Sequence, residues 1–126
     1  MKFISFLLNK KAKYGVINNN LVTDLTGKVL EANTLKELIQ KKGISDAKKY
    51  AVENPGNINL DEIEYLPLIP NPGKIICVGL NYSEHVKETN RTVEENPVIF
   101  HRFPESQTAH LQYIQRPIAS HSLDFE

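Results

Sequence analysis

Four helix- and strand-breaking residues crowd into seven positions: Pro67, Pro70, Pro72 and Gly73. Proline fixes its own φ and lacks an N–H, so neither a helix nor a central strand can run through such a cluster. It reads as a stiff linker and places a boundary near residue 70. Directly after it, Lys74-Ile-Ile-Cys-Val-Gly-Leu80 is an almost unbroken apolar run of strand length. A run without alternation suits a strand buried on both faces. It stops at Gly79 and Asn81 and hands over to a polar segment presenting Asn81, Tyr82, His85 and Glu88. Ligands often sit where strands end, so this exit is the first place to look for chemistry.

The chain before the linker reads as a small α/β lobe over residues 1–69. Met1–Leu8 suits a first strand and Tyr14–Ile17 a second. Asn18-Asn19-Asn20 tolerates left-handed backbone angles and predicts a tight hairpin into Leu21-Val22-Thr23. Thr34 and Glu37 form a capping box ahead of an apolar stripe of Leu35, Leu38 and Ile39, and Gly43 supplies the helix stop. Ser45 is placed to cap a second helix from Asp46 to about Glu53, ended by Pro55-Gly56. Lys48 and Lys49 form its solvated face.

Beyond the apolar run, Asn81 and Glu84 have the spacing of a second capping box, opening a short helix. On that helix His85 and Glu88 stand three residues apart, on one face. Residues 89–96 are polar and read as a loop, and Pro97 opens a strand from Val98 to Phe103. Pro104–His110 reads as a loop, Leu111–Arg116 as a further extended piece and Pro117–Ser122 as a loop. The chain stops on Leu123-Asp-Phe-Glu126 without a closing turn, which gives the look of a cut.

Composition removes several function classes. Fifteen basic and fifteen acidic side chains cancel, so no strong field draws in nucleic acid or an anionic membrane. Met1–Leu8 is too short an apolar stretch for a signal peptide or membrane span. The lone Cys77 can form no internal disulfide, which points to a reduced, cytoplasmic protein and a thiol acting as a small buried hydrophobe. His85, His101, His110 and His121 lack zinc spacing, and neither a dinucleotide fingerprint nor a phosphate-binding loop occurs.

A His–Glu pair remains as the best catalytic candidate, since the carboxylate can orient the imidazole and stabilise its cation. On residue types alone such a pair is equally at home on a solvated helix face. Asp124 and Glu126 could offer oxygen ligands to a hard cation.

The run from Pro70 to Glu88 closely resembles the fumarylacetoacetate hydrolase family, which typically carries PxPxKIxCxGxNYxxHxxE here. The likeness continues through Pro97-Val-Ile-Phe-His-Arg-Phe103 with Ser106, His110–Pro117 and Leu123-Asp-Phe-Glu126. The GVI…VTDL hairpin and TLKELI helix are similar to the small lobe that precedes the catalytic domain in many members. The resemblance implies an α+β fold, with residues 70–126 starting a mixed β-roll. It implies His85 and Glu88 as a general-base dyad in a lid segment, with Asn81 and Tyr82 as positioning residues. It also implies Glu126 as the first carboxylate of a magnesium or manganese site, and Arg102 and Ser106 as substrate contacts.

Members act on small oxo or enol acids by C–C hydrolysis, tautomerisation or decarboxylation through a metal-stabilised enolate, and usually dimerise. The second glutamate of the metal pair, the third acidic ligand and a later lysine have no counterpart in this sequence. One carboxylate cannot hold magnesium. The expectation is therefore that this chain alone binds no metal and is inactive, a domain that only folds or self-associates unless completed from outside.

Overall fold

The computed structural model describes residues 1–79 and 96–122. They fall into two compact units, one built from Met1–Pro70 and the stretch from Thr108 onward, the other from Asn71–Gln107. Sheet and helices together make an α+β protein.

The first unit begins as an antiparallel meander of β1 (Lys2–Leu8), β2 (Lys11–Asn18) and β3 (Leu21–Asp24). Both turns place two consecutive residues in the left-handed region: Asn9 and Lys10 at φ 51 and 62, Asn19 and Asn20 at φ 50 and 62. Turns of that hand match the twist of the strands they join. The second hairpin is the one the asparagine run predicts. The first is hidden by Lys10, which has no preference for left-handed angles, and β2 starts at Lys11 rather than Tyr14.

Two short strands, β4 (Ile58–Asn59) and β5 (Glu64–Leu66), pair with β3 and β1 to close the order β4-β3-β2-β1-β5. Successive side chains point to opposite faces, so the sheet has two apolar sides. Tyr14 and Val16 join Leu25, Val29 and Ala32 on one side, packed against α1 (Leu35–Gln40) and α2 (Ile44–Glu53) through Leu35, Leu38, Ala47 and Ala51. Ile4, Phe6 and Val22 occupy the other side. Because β4 and β5 sit on opposite edges, the turn Leu60–Glu62 between them carries the chain across that second face. Leu60, Ile63 and Tyr65 pack there.

Thr34 caps α1 as its sequence predicts, its hydroxyl accepting from Glu37 N–H at 3.2 Å. The Glu37 carboxylate reaches back to the Asn33 N–H at 2.8 Å, one residue earlier than a regular box. The helix stop differs from expectation. Lys42, at φ 57, takes the left-handed position, and its N–H bonds Ile39 O while Gly43 N–H bonds Leu38 O. That is the six-to-one and five-to-two pairing of a glycine-type helix end, made with a lysine. Gly43 meets a close approach instead: a Cβ there would lie 2.7 Å from Leu38 Cδ1 and 2.8 Å from Leu30 Cδ1, so those side chains would have to shift. Gly43 is also the N-cap of α2, which starts at Ile44, so cap and helix start each fall two residues before the expected Ser45 and Asp46.

In the second unit β6 (Ile75–Gly79) and β7 (Val98–Arg102) form an antiparallel ladder, with Ile75 opposite Arg102, Cys77 opposite Phe100 and Gly79 opposite Val98. The expectation that this strand is buried on both faces is overturned among the described residues. Ile76, Val78 and Ile99 share one face and are 64%, 48% and 57% exposed, while Ile75, Cys77 and Phe100 opposite are half-buried. Two strands alone supply no layer to cover a face. The expected extended piece after Leu111 pairs with nothing in the described sheets; Leu111 itself turns at φ 65.

Candidate functional site

The β6–β7 ladder fixes where the candidate chemistry enters. The chain leaves the ladder at Gly79 and returns at Val98, its partner across the strands. Between those two points the sequence carries Asn81, Tyr82, His85 and Glu88. Those four, the helix expected from Asn81, and Glu126 lie outside the described residues.

Arg102 and Ser106 are described. Arg102 ends β7 opposite Ile75, on the half-buried face it shares with Phe100 and Cys77. Ser106 closes a single 3-10 turn, Pro104–Ser106, that follows the strand. Its hydroxyl donates to Phe103 O at 2.8 Å and its N–H to the same oxygen at 3.0 Å. The hydroxyl hydrogen is therefore committed within the turn, and only its lone pairs are open to a ligand. Strand end and turn bring the two residues into one short stretch, with no hydrogen bond between them among the described residues. His101 projects to the other face of the ladder, its ring edge-on to Phe103 at 5.8 Å between centroids.

Among the described residues no three His, Cys, Asp or Glu side chains come together as a metal would require.

Perturbed titration often marks function; among the described residues it lies in the first unit. Burial, then the negative charges of Asp24 and Glu37, push the Tyr14 hydroxyl up to about 12. Burial also raises Asp24, yet hydrogen bonds from Lys13 and Thr26, and the lysine charge, bring it below its ordinary value. Lys13 Nζ meets Asp24 Oδ2 at 2.5 Å, and Asp24 Oδ1 accepts the Thr26 N–H at 2.9 Å. These bonds pin the strand end into the loop after β3 and are structural.

The sequence places His110 in a loop. In the structure its ring packs edge-on to Tyr65 at 4.9 Å between centroids, and the neighbouring Gln112 amide reaches the Tyr65 carbonyl at 3.4 Å. Nothing in the periodicity around His110 signals that contact.

Comparison with known proteins extends this picture. Residues 74–126 match the family described as Fumarylacetoacetate (FAA) hydrolase C-terminal. The ladder, the segment between its strands and the turn carrying Ser106 all lie inside that match. The chain belongs to the fumarylacetoacetate hydrolase family. It is 30% identical over 116 residues to the mitochondrial oxaloacetate tautomerase Fahd2a of Rattus norvegicus, covering 84% of this chain and 37% of that protein. A mitochondrial oxaloacetate tautomerase of Xenopus laevis is 34% identical over 86 residues, 68% of this chain and 27% of its own length. An uncharacterised protein of Methanocaldococcus jannaschii is 40% identical over 70 residues, 56% and 27% of the two chains. The chain thus spans well under half the length of the curated relatives it matches. Among the described residues no helix is long and apolar enough to cross a membrane.

Proposed function

We propose that this chain carries the dyad-bearing part of an enzyme that acts on small oxo or enol acids, with tautomerisation of an oxaloacetate-like acid as the first reaction to test. The observation that carries the reading is the stretch from Lys74 to Glu88. It falls inside the family match, and its strand pairs with β7 so that the segment bearing His85 and Glu88 leaves and returns at one end of the ladder. The names of the rat and frog relatives support the choice of substrate.

In this mechanism His85 is the base that removes the proton next to the oxo group, and returns a proton to the opposite end of the enolate. Glu88 holds the imidazole in the accepting tautomer and stabilises its cation. Arg102 pairs with the substrate carboxylate, for which its forked donors are suited, and Ser106 offers its lone pairs to the hydroxyl of the enol form. Glu126 is assigned to a magnesium or manganese ion, whose chemistry would be to stabilise negative charge on the enolate oxygen. The catalytic sheet belongs, in this reading, to a mixed β-roll, and the single half-buried Cys77 supports a reducing compartment such as the cytoplasm.

The test follows the enol absorbance of oxaloacetate. In a protein spanning the full length of the relatives, His85→Ala should slow the enzymatic rate by about a hundredfold or more and Glu88→Gln by about tenfold. Undiminished activity in His85→Ala would remove the dyad from the mechanism.

A second reading is favoured by one observation, the exposure of Ile76, Val78 and Ile99 on one face of the ladder. In it the 126-residue chain is catalytically silent and self-associates, as a homodimer, through that face. Oxaloacetate tautomerisation no faster than in buffer, together with concentration-dependent dimers, would support it; enzymatic turnover by this chain would exclude it.

A further inference from the structure

A cavity of about 670 Å³ opens in the first unit, over the face of the sheet turned away from the helices. Its floor is apolar. Ile4 and Ile17 contribute from β1 and β2, and Leu60 from the crossing turn. Lys2 lies opposite Ile17 in the strand register and two positions from Ile4, so its side chain leaves the sheet on this same face. Asn20, held in the β2–β3 turn, and His110, packed edge-on to Tyr65, complete the polar rim. Among the described residues no aspartate or glutamate lines the cavity.

A volume of this size is in the range that encloses small organic ligands, and such sites combine an apolar lining with a few directed polar groups. The described lining is one-sided in charge: it offers the Lys2 ammonium, the Asn20 amide and the His110 ring, with no carboxylate among the described residues to pair with the lysine. An acid with an apolar body satisfies both halves. Its tail replaces water against Ile4, Ile17 and Leu60, and its carboxylate accepts a charge-assisted bond from Lys2.

We propose that this cavity, whose lining includes no residue of the β6–β7 ladder, is a binding site for a small organic carboxylate with an apolar tail. The site is formed mostly by residues before Lys74, so it does not depend on the enzyme reading.

Octanoate, octan-1-ol and octylamine serve as probes of the isotope-labelled chain, followed by amide and side-chain NMR shifts. Octanoate should give saturable shifts at Lys2, Ile17, Asn20, Tyr65 and His110, with octan-1-ol about tenfold weaker and octylamine weaker still. Lys2→Met, at an exposed strand end, should weaken octanoate about tenfold and leave octan-1-ol unchanged, while Lys2→Arg retains octanoate binding. Octan-1-ol binding as tightly as octanoate, equal octanoate affinity in Lys2→Met, or no saturable shifts at these residues would each overturn the proposal.

Discussion

Tyr14 places a hydroxyl in the core where no donor or acceptor among the described residues meets it, in a residue only 1% exposed. A buried polar group without a partner loses its water and gains nothing in return. Tyr14→Phe removes that group and keeps the ring in the core cluster that holds Leu25 and Leu38. The expected result is a gain of about 1 kcal/mol in urea unfolding; a loss of stability would reveal an internal partner such as water. The same residue sets an alkaline limit. Its folded-state value is about 12 against an ordinary 10.0, so folding favours the protonated form. Its contribution is whole below pH 10 and is lost as pH climbs from 10 towards 12. The wild type should therefore lose stability across that window more steeply than Tyr14→Phe.

Helix ends and turns show which parts of the fold could be read from residue types. Thr34 with Glu37, and the Asn19-Asn20 turn, were legible because those side chains or backbones are suited to the task. Asn9-Lys10 and the end of α1 were not, since lysines occupy left-handed positions that local preference would give to others. Glycine at 43 suggested the stop one residue too late: what it answers is the close approach of Leu30 and Leu38.

The two neighbours should therefore respond in opposite directions. Lys42→Gly relieves a left-handed side chain and should stabilise the first unit by about 1 kcal/mol. Gly43→Ala drives a methyl into Leu30 and Leu38 and should destabilise it by about 1–3 kcal/mol. Thermal unfolding of the two variants measures both, and a stabilising Gly43→Ala would refute the packing argument. β4 and β5 escaped sequence reading for a different reason. At two and three residues they are too short to show a period, and only their pairing across the sheet defines them.

At the scale of the whole molecule, the candidate site and the ladder that flanks it in the sequence are legible in different ways. The order of Asn81, Tyr82, His85 and Glu88 is a linear motif and needs no fold to be seen. Burial is a property of layers, and an unbroken apolar run cannot say whether a layer covers it. Here Ile76, Val78 and Ile99 stand on one face of a two-stranded ladder, each about half exposed or more. Apolar side chains side by side in water favour any contact that removes them from it, at roughly 25 cal/mol per Å². Sedimentation equilibrium of the chain should show dimers increasing with concentration. Ile76→Thr with Ile99→Thr keeps β-branched residues suited to strands but makes that face polar, and should shift the equilibrium to monomer by at least tenfold in dissociation constant. The unfolding of the first unit should stay unchanged, because neither residue belongs to its core. A wild type that remains monomeric throughout would remove self-association, while a double variant that dimerises equally well would move the interface elsewhere. Either result leaves the His85 test standing, since that test reads proton transfer and this one reads the covering of a sheet face.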